Sequence, residues 1–101
     1  MLYEGAIRFV QQAHEAAEQN DSKLRHDKLR RAGDIIAALQ SALDLDHGGA
    51  LAQGLFDFYA AIGTRLLTLH RNTTALAYAE VVEELRSMRD MWDAIDREKR
   101  A

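Results

Sequence analysis

The residues of this chain whose types could do chemistry are four histidines, His14, His26, His47 and His70, and a dispersed set of carboxylates. A di-iron site inside a helical bundle needs a Glu-x-x-His step on each of two helices, because positions i and i+3 project both ligands to one face. Three residues before the histidines stand Gln11, Lys23, Asp44 and Leu67. Only His47 therefore follows a carboxylate, and it sits against Gly48-Gly49 at the end of a helical stretch. His14-Glu15-x-x-Glu18 is half of a zinc-protease pattern without its second histidine. Solvated side chains, with no metal among them, are the expectation for all four.

Other chemistry fares no better. There is no cysteine, which removes thiol nucleophiles, cysteine-liganded zinc and disulfides together. Ser22, Ser41 and Ser87 lack a glycine-rich elbow, and Gly48-Gly49 lacks the lysine and spacing of a phosphate loop. Glu80, Glu83, Glu84, Asp90 and Asp93 mostly avoid the apolar stripe of their segment and read as a solvated face. No catalytic residue, no cofactor and no enzymatic activity are expected. Lys23, Arg25, His26, Lys28, Arg30 and Arg31 form a basic cluster, but Asp21, Asp27 and Asp34 lie among them and no aromatic is interleaved for base stacking. This cluster too is expected to be a solvated face. With a net charge of −3, nothing in the balance draws the chain to nucleic acid or to an anionic membrane.

The elements that carry these residues are helices. The chain has 101 residues and no proline, and Ala and Leu outnumber the β-branched types. A single domain is expected at this length. Asn20-Asp21-Ser22, Asp46-His47-Gly48-Gly49 and Asn72-Thr73-Thr74 supply caps and turns between four helical segments, predicted at about 2–19, 22–45, 49–70 and 73–98. The apolar stripes are Leu2, Ala6, Phe9, Ala13 and Ala16 in the first, and Leu29, Ala32, Ile36, Leu39 and Leu43 in the second. The third carries Leu51, Leu55, Phe58, Tyr59, Ile62, Leu66 and Leu69. The fourth carries Tyr78, Val81, Leu85, Met88, Trp92 and Ile95, with Trp92 expected to anchor the core. Short connections make consecutive helices antiparallel, so the fold is predicted to be all-α, an antiparallel up-down four-helix bundle over residues 1–101. The first segment begins apolar, without a capping residue, and is the shortest of the four, which reads as a missing front end. No apolar run is long enough for a membrane span, and no secretory signal opens the chain.

More apolar residues are present than one bundle face needs. Phe56, Ala60, Gly63 and Leu67 make a second stripe on the third segment, two large residues flanking two small ones. Tyr3, Ile7 and Val10 widen the apolar arc of the first. Such surplus suits either a partner helix in a groove or an inner helix buried on two sides. These seven residues are the candidate partner-binding set.

Several phrases along the whole chain are similar to one family. They are Leu2-Tyr3-Glu4-Gly5-Ala6-Ile7-Arg8-Phe9, Ala32-Gly33-Asp34-Ile35-Ile36-x-x-Leu39 with Leu43-Asp44, and Gly48-Gly49-x-Leu51-Ala52-x-x-Leu55-Phe56-x-x-Tyr59 with Arg65-Leu66. Leu85-x-x-Met88-Arg89-Asp90-x-Trp92 completes the series. In order and spacing the chain resembles the FliS family of flagellar export chaperones. That resemblance implies a non-catalytic four-helix bundle in the bacterial cytoplasm. Its partner would be the C-terminal segment of flagellin, disordered when free, which docks as helices along apolar grooves. Covering that segment would prevent premature polymerisation and keep flagellin competent for export. Export-gate components are a further expected partner, nucleic acid and membrane are not, and the chain is expected to be a monomer or a weak homodimer. Two other readings use the same residues: a non-catalytic oligomerisation module built on the second stripes, and an RNA- or acid-binding module built on the basic cluster.

Overall fold

The computed structural model describes residues 2–100 except 44, 72 and 73, and leaves the side chains of Leu2, Trp92 and residues 95–100 undescribed. The core roles expected of Leu2, Trp92 and Ile95 therefore fall outside the described residues. Four helices follow one another: α1 (Leu2–Glu18), α2 (Ser22–Ser41), α3 (Gly49–Leu69) and α4 (Ala75–Arg100).

The connections explain the boundaries. α1 ends in a Schellman motif, with Asn20 in the left-handed region at φ 59°. The Asp21 N–H donates to Ala16 O at 2.8 Å and the Asn20 N–H to Ala17 O at 3.1 Å, which satisfies carbonyls the helix leaves open. Asp21 then caps α2, its Oδ1 accepting the Leu24 N–H at 3.1 Å. Thr74 does the same for α4, accepting the Ala77 N–H at 3.3 Å. α2 stops at Ser41, several residues before the predicted 45. The tightened turn at Ala42 and an exposed Leu45, which finds no face to bury, account for the early end. Gly49 opens α3 at φ 59°, a conformation that a side chain there would strain.

Among the described residues each helix packs on its two neighbours: α1 on α2, α2 on α3, α3 on α4, and α4 back on α1. The molecule is an all-α antiparallel bundle of 46 × 26 × 19 Å. The α1–α2 seam is the most extensive and the α3–α4 seam the thinnest, the latter bridged by an Arg65–Glu84 ion pair. Leu29, Tyr59, Ile62, Leu69, Tyr78 and Leu85 fill the centre with almost no exposure. The hydroxyls of Tyr3 and Tyr59 meet across the middle and join the diagonal helices α1 and α3.

Two expected stripes are corrected. α1 turns Tyr3, Ile7 and Val10 inward along with Ala6, Ala13 and Ala16. Phe9 is left at the edge, half-buried beneath Lys28 (Nζ 5.5 Å from the ring centroid) and Arg31 (6.0 Å). On α3, Leu51 is exposed and Ala52 takes the buried place.

Candidate functional site

A groove of about 580 Å3 lies between α2 and α3. Antiparallel neighbours lay the start of α2 beside the end of α3, so residues far apart in sequence share its walls. Its floor is apolar, made by Leu29 and Gly33 from α2 and Gly63 and Leu66 from α3, with Leu67 at the edge. Leu29 and Leu66 are buried core residues, whereas Leu67 is 70% exposed. A Cβ built on Gly33 or on Gly63 meets nothing within 4 Å. The two glycines, one from each helix, thus line the groove with open space beside them.

One end of the groove is cationic. Arg25, only 8% exposed, donates from Nη1 to Leu69 O at 2.9 Å and to His70 O at 3.1 Å. Its guanidinium therefore caps the carbonyl end of α3, where a positive charge is favourable. His26 and His70 stack beside it with ring centroids 4.6 Å apart and planes 7° from parallel, and their Nδ1 atoms are in contact. Burial, then His26, then Arg25 hold His70 below the ordinary histidine range. Lys23 completes the rim. Asp27 accepts from Arg30 at 2.9 Å and Arg31 at 3.0 Å, and those hydrogen bonds, Arg30 first, lower its pKa.

The candidate residues divide. Gly63 and Leu67 lie in the groove. Ala60 and half-buried Phe56 occupy the same face of α3 in earlier turns, outside the groove lining, with Phe56 O accepting from Gln40 Nε2 of α2 at 3.2 Å. Tyr3, Ile7 and Val10 are 8%, 6% and 0% exposed. They are covered by neighbouring helices, because α1 needs its whole apolar arc to meet both α2 and α4. The expected solvated face of the basic cluster is corrected at Arg25, which is buried. His14 is half-buried, stacked on Tyr78 with centroids 5.0 Å apart and with Nε2 3.2 Å from Glu18 Oε1. The candidate partner-binding set in the sequence does not include Gly33, Arg25 or His70; Arg25 enters there only within the basic cluster and His70 only as a tested metal ligand. A basic residue in the first turn of a helix, against its dipole, was the signal available for Arg25.

A smaller groove of about 230 Å3 runs between α1 and α4 past Val10, His14 and Tyr78. Among the described residues, no group of three or more His, Cys, Asp or Glu is placed to hold a metal ion. None of the described helices is long and apolar enough to cross a membrane.

Comparison with known proteins gives one consistent result. A family profile described as "Flagellar protein FliS" matches residues 1–99. The chain is 29% identical over 95 residues to the flagellar secretion chaperone FliS of Vibrio cholerae, covering 94% of this chain and 70% of that protein. It is 31% identical over 96 residues to the flagellar secretion chaperone FliS of Salmonella typhimurium, covering 94% and 71%.

Proposed function

The chain belongs to the FliS family of flagellar secretion chaperones, and from that premise we propose that it holds the C-terminal segment of flagellin in the cytoplasm. In this reading the segment, disordered when free, lies as a helix along the α2–α3 groove. Coverage by the chaperone stops it from polymerising early and keeps it competent for export. Export-gate components are the second partner of this reading, receiving the cargo at delivery. The chemistry asked of the protein is apolar contact rather than catalysis, as suits a chaperone family.

The observation that supports this most is the pair of glycines that line the groove with open space beside them. A segment that orders on binding must recover substantial apolar contact to offset the lost conformational entropy. Leu67 is a large apolar side chain held mostly in solvent at the groove's edge, and Gly33 and Gly63 let a partner backbone come close. Phe56 and Ala60 extend the same face along α3.

Replacing Gly63 by Leu tests the reading. The new side chain enters the groove rather than the core, and leucine is the better helix former by roughly 0.5–1 kcal/mol. The melting temperature should therefore hold or rise, while titration with a flagellin C-terminal peptide shows weakened binding. Unchanged binding to Gly63→Leu protein would remove the groove from the function.

A further inference from the structure

The two ends of the α2–α3 groove differ in charge, and the difference bears on which way a bound segment lies. At the α3 C-terminal end stand Lys23, Arg25, His26 and His70. The carboxylates closest to them in the chain already have partners: Asp21 accepts the Leu24 N–H, and Asp27 is held by Arg30 and Arg31. Asp34 lines the groove beside Gly33, about 12 Å further along α2 from His26 at 1.5 Å per residue. One end thus carries Lys23, the Arg25 guanidinium and two titratable histidines, and the other the Asp34 carboxylate, with Arg30 one turn before it.

We propose that the Lys23–His26–His70 end of the groove receives the C-terminal carboxylate of the bound segment, which therefore runs antiparallel to α2 and parallel to α3. The inference rests on the reading above that the occupant is a helical C-terminal segment. A helix end carries partial negative charge on its open carbonyls, and a chain terminus adds a full one. Both meet Lys23 and the histidine pair. The start of the docked helix, with partial positive charge, then lies toward Asp34.

The arrangement is proton-linked. The charged groups around the histidine pair are Lys23, Arg25, Asp27 and Arg30 from α2. Cations predominate there, and burial with these neighbours disfavours the protonated form of His70. An incoming carboxylate reverses that balance, so its binding takes up a proton and strengthens as pH falls toward 6.

The test uses two synthetic peptides of the last roughly 20 residues of the organism's own flagellin, enough for about 30 Å of helix. One ends in a free carboxylate and the other in an amide, and both are titrated at low salt into the whole protein. The free acid should bind about three- to five-fold more tightly. Its advantage should widen from pH 8 to pH 6, and should vanish in Lys23→Glu and shrink in His26→Gln protein. Equal binding of the two peptides overturns the orientation and leaves the groove reading intact. A free-acid advantage indifferent to both substitutions places the terminus elsewhere and also overturns it. Binding by neither peptide removes the flagellin reading together with this inference.

Discussion

Gly5 and Gly63 both sit inside helices, and a methyl group added to each would meet different surroundings. At Gly5 of α1 it would touch Ile35 Cδ1 of α2 at 3.4 Å, whereas at Gly63 of α3 it would meet nothing within 4 Å. The same helix, α2, thus makes a closed seam on one side and an open one on the other. The difference lies in what stands opposite. On the α1 side a branched side chain fills the space a glycine leaves. On the α3 side Gly63 lines a groove whose other wall carries a second glycine, Gly33. At Gly5 the partner helix supplies a side chain that fits the space, whereas at Gly63 and Gly33 the space next to each glycine is open.

The sharpest way to break this comparison is to truncate one apolar residue on each side. Ile7→Ala should cost about 2–4 kcal/mol, because a 6% exposed side chain leaves a cavity in the closed part of the core. Leu67→Ala should stay within about 0.5 kcal/mol, its side chain being mostly in water already. Urea unfolding of both variants measures the contrast, and similar losses would mean that the α2–α3 seam is not open in solution.

The next effect in size belongs to a point where the open seam is tied by a buried guanidinium. Arg25→Met keeps the apolar stem but removes two hydrogen bonds to the last carbonyls of α3. It should lower stability by about 1–3 kcal/mol. A melting temperature equal to that of the unchanged protein would show that solvent caps α3 equally well.

The smallest effect is a dependence on pH. His70 has its folded-state pKa lowered from the ordinary 6.5. The unfolded chain then binds the proton more readily, so His70's contribution is fully present above pH 6.5. It is lost as pH falls from there through the folded-state value. Stability measured between pH 8 and 5 should decline on the acid side, and His70→Asn should flatten that part of the curve. An unaltered slope would assign the decline to other groups.

How far these features could be read from the sequence depends on whether they are local. The caps at Asp21 and Thr74 use neighbours in the chain, and both residues lie in the breaks that divide the sequence into helices. The stripes of α2 and α4 have one dominant arc each, and their buried residues follow it. α1 is different. Its alanines border two arcs, Leu2 with Phe9 and Tyr3 with Ile7 and Val10, and spacing alone does not rank them. In the folded molecule Tyr3 reaches Tyr59 across the core, while Phe9, partly buried against the core, lies beneath the charged heads of Lys28 and Arg31. The groove was half legible. Gly63 and Leu67 stand out because two large residues flank two small ones on a second face of α3. Gly33, Arg25 and His70 become site residues only when α2 and α3 lie side by side, a relation no helical period contains.

The thin seam between α3 and α4 has a consequence for how the molecule opens. With the other three seams richer, the bundle is in effect a strip, α3–α2–α1–α4, whose edges meet lightly through the Arg65–Glu84 pair and the packing around it. In amide hydrogen-exchange terms, that edge is where a sub-global opening needs the least free energy. Deuterium should enter α3 and α4 along their shared side before it reaches the α1–α2 hairpin, whose amides wait for global unfolding. On this expectation the strip spreads at its edges while the hairpin stays folded.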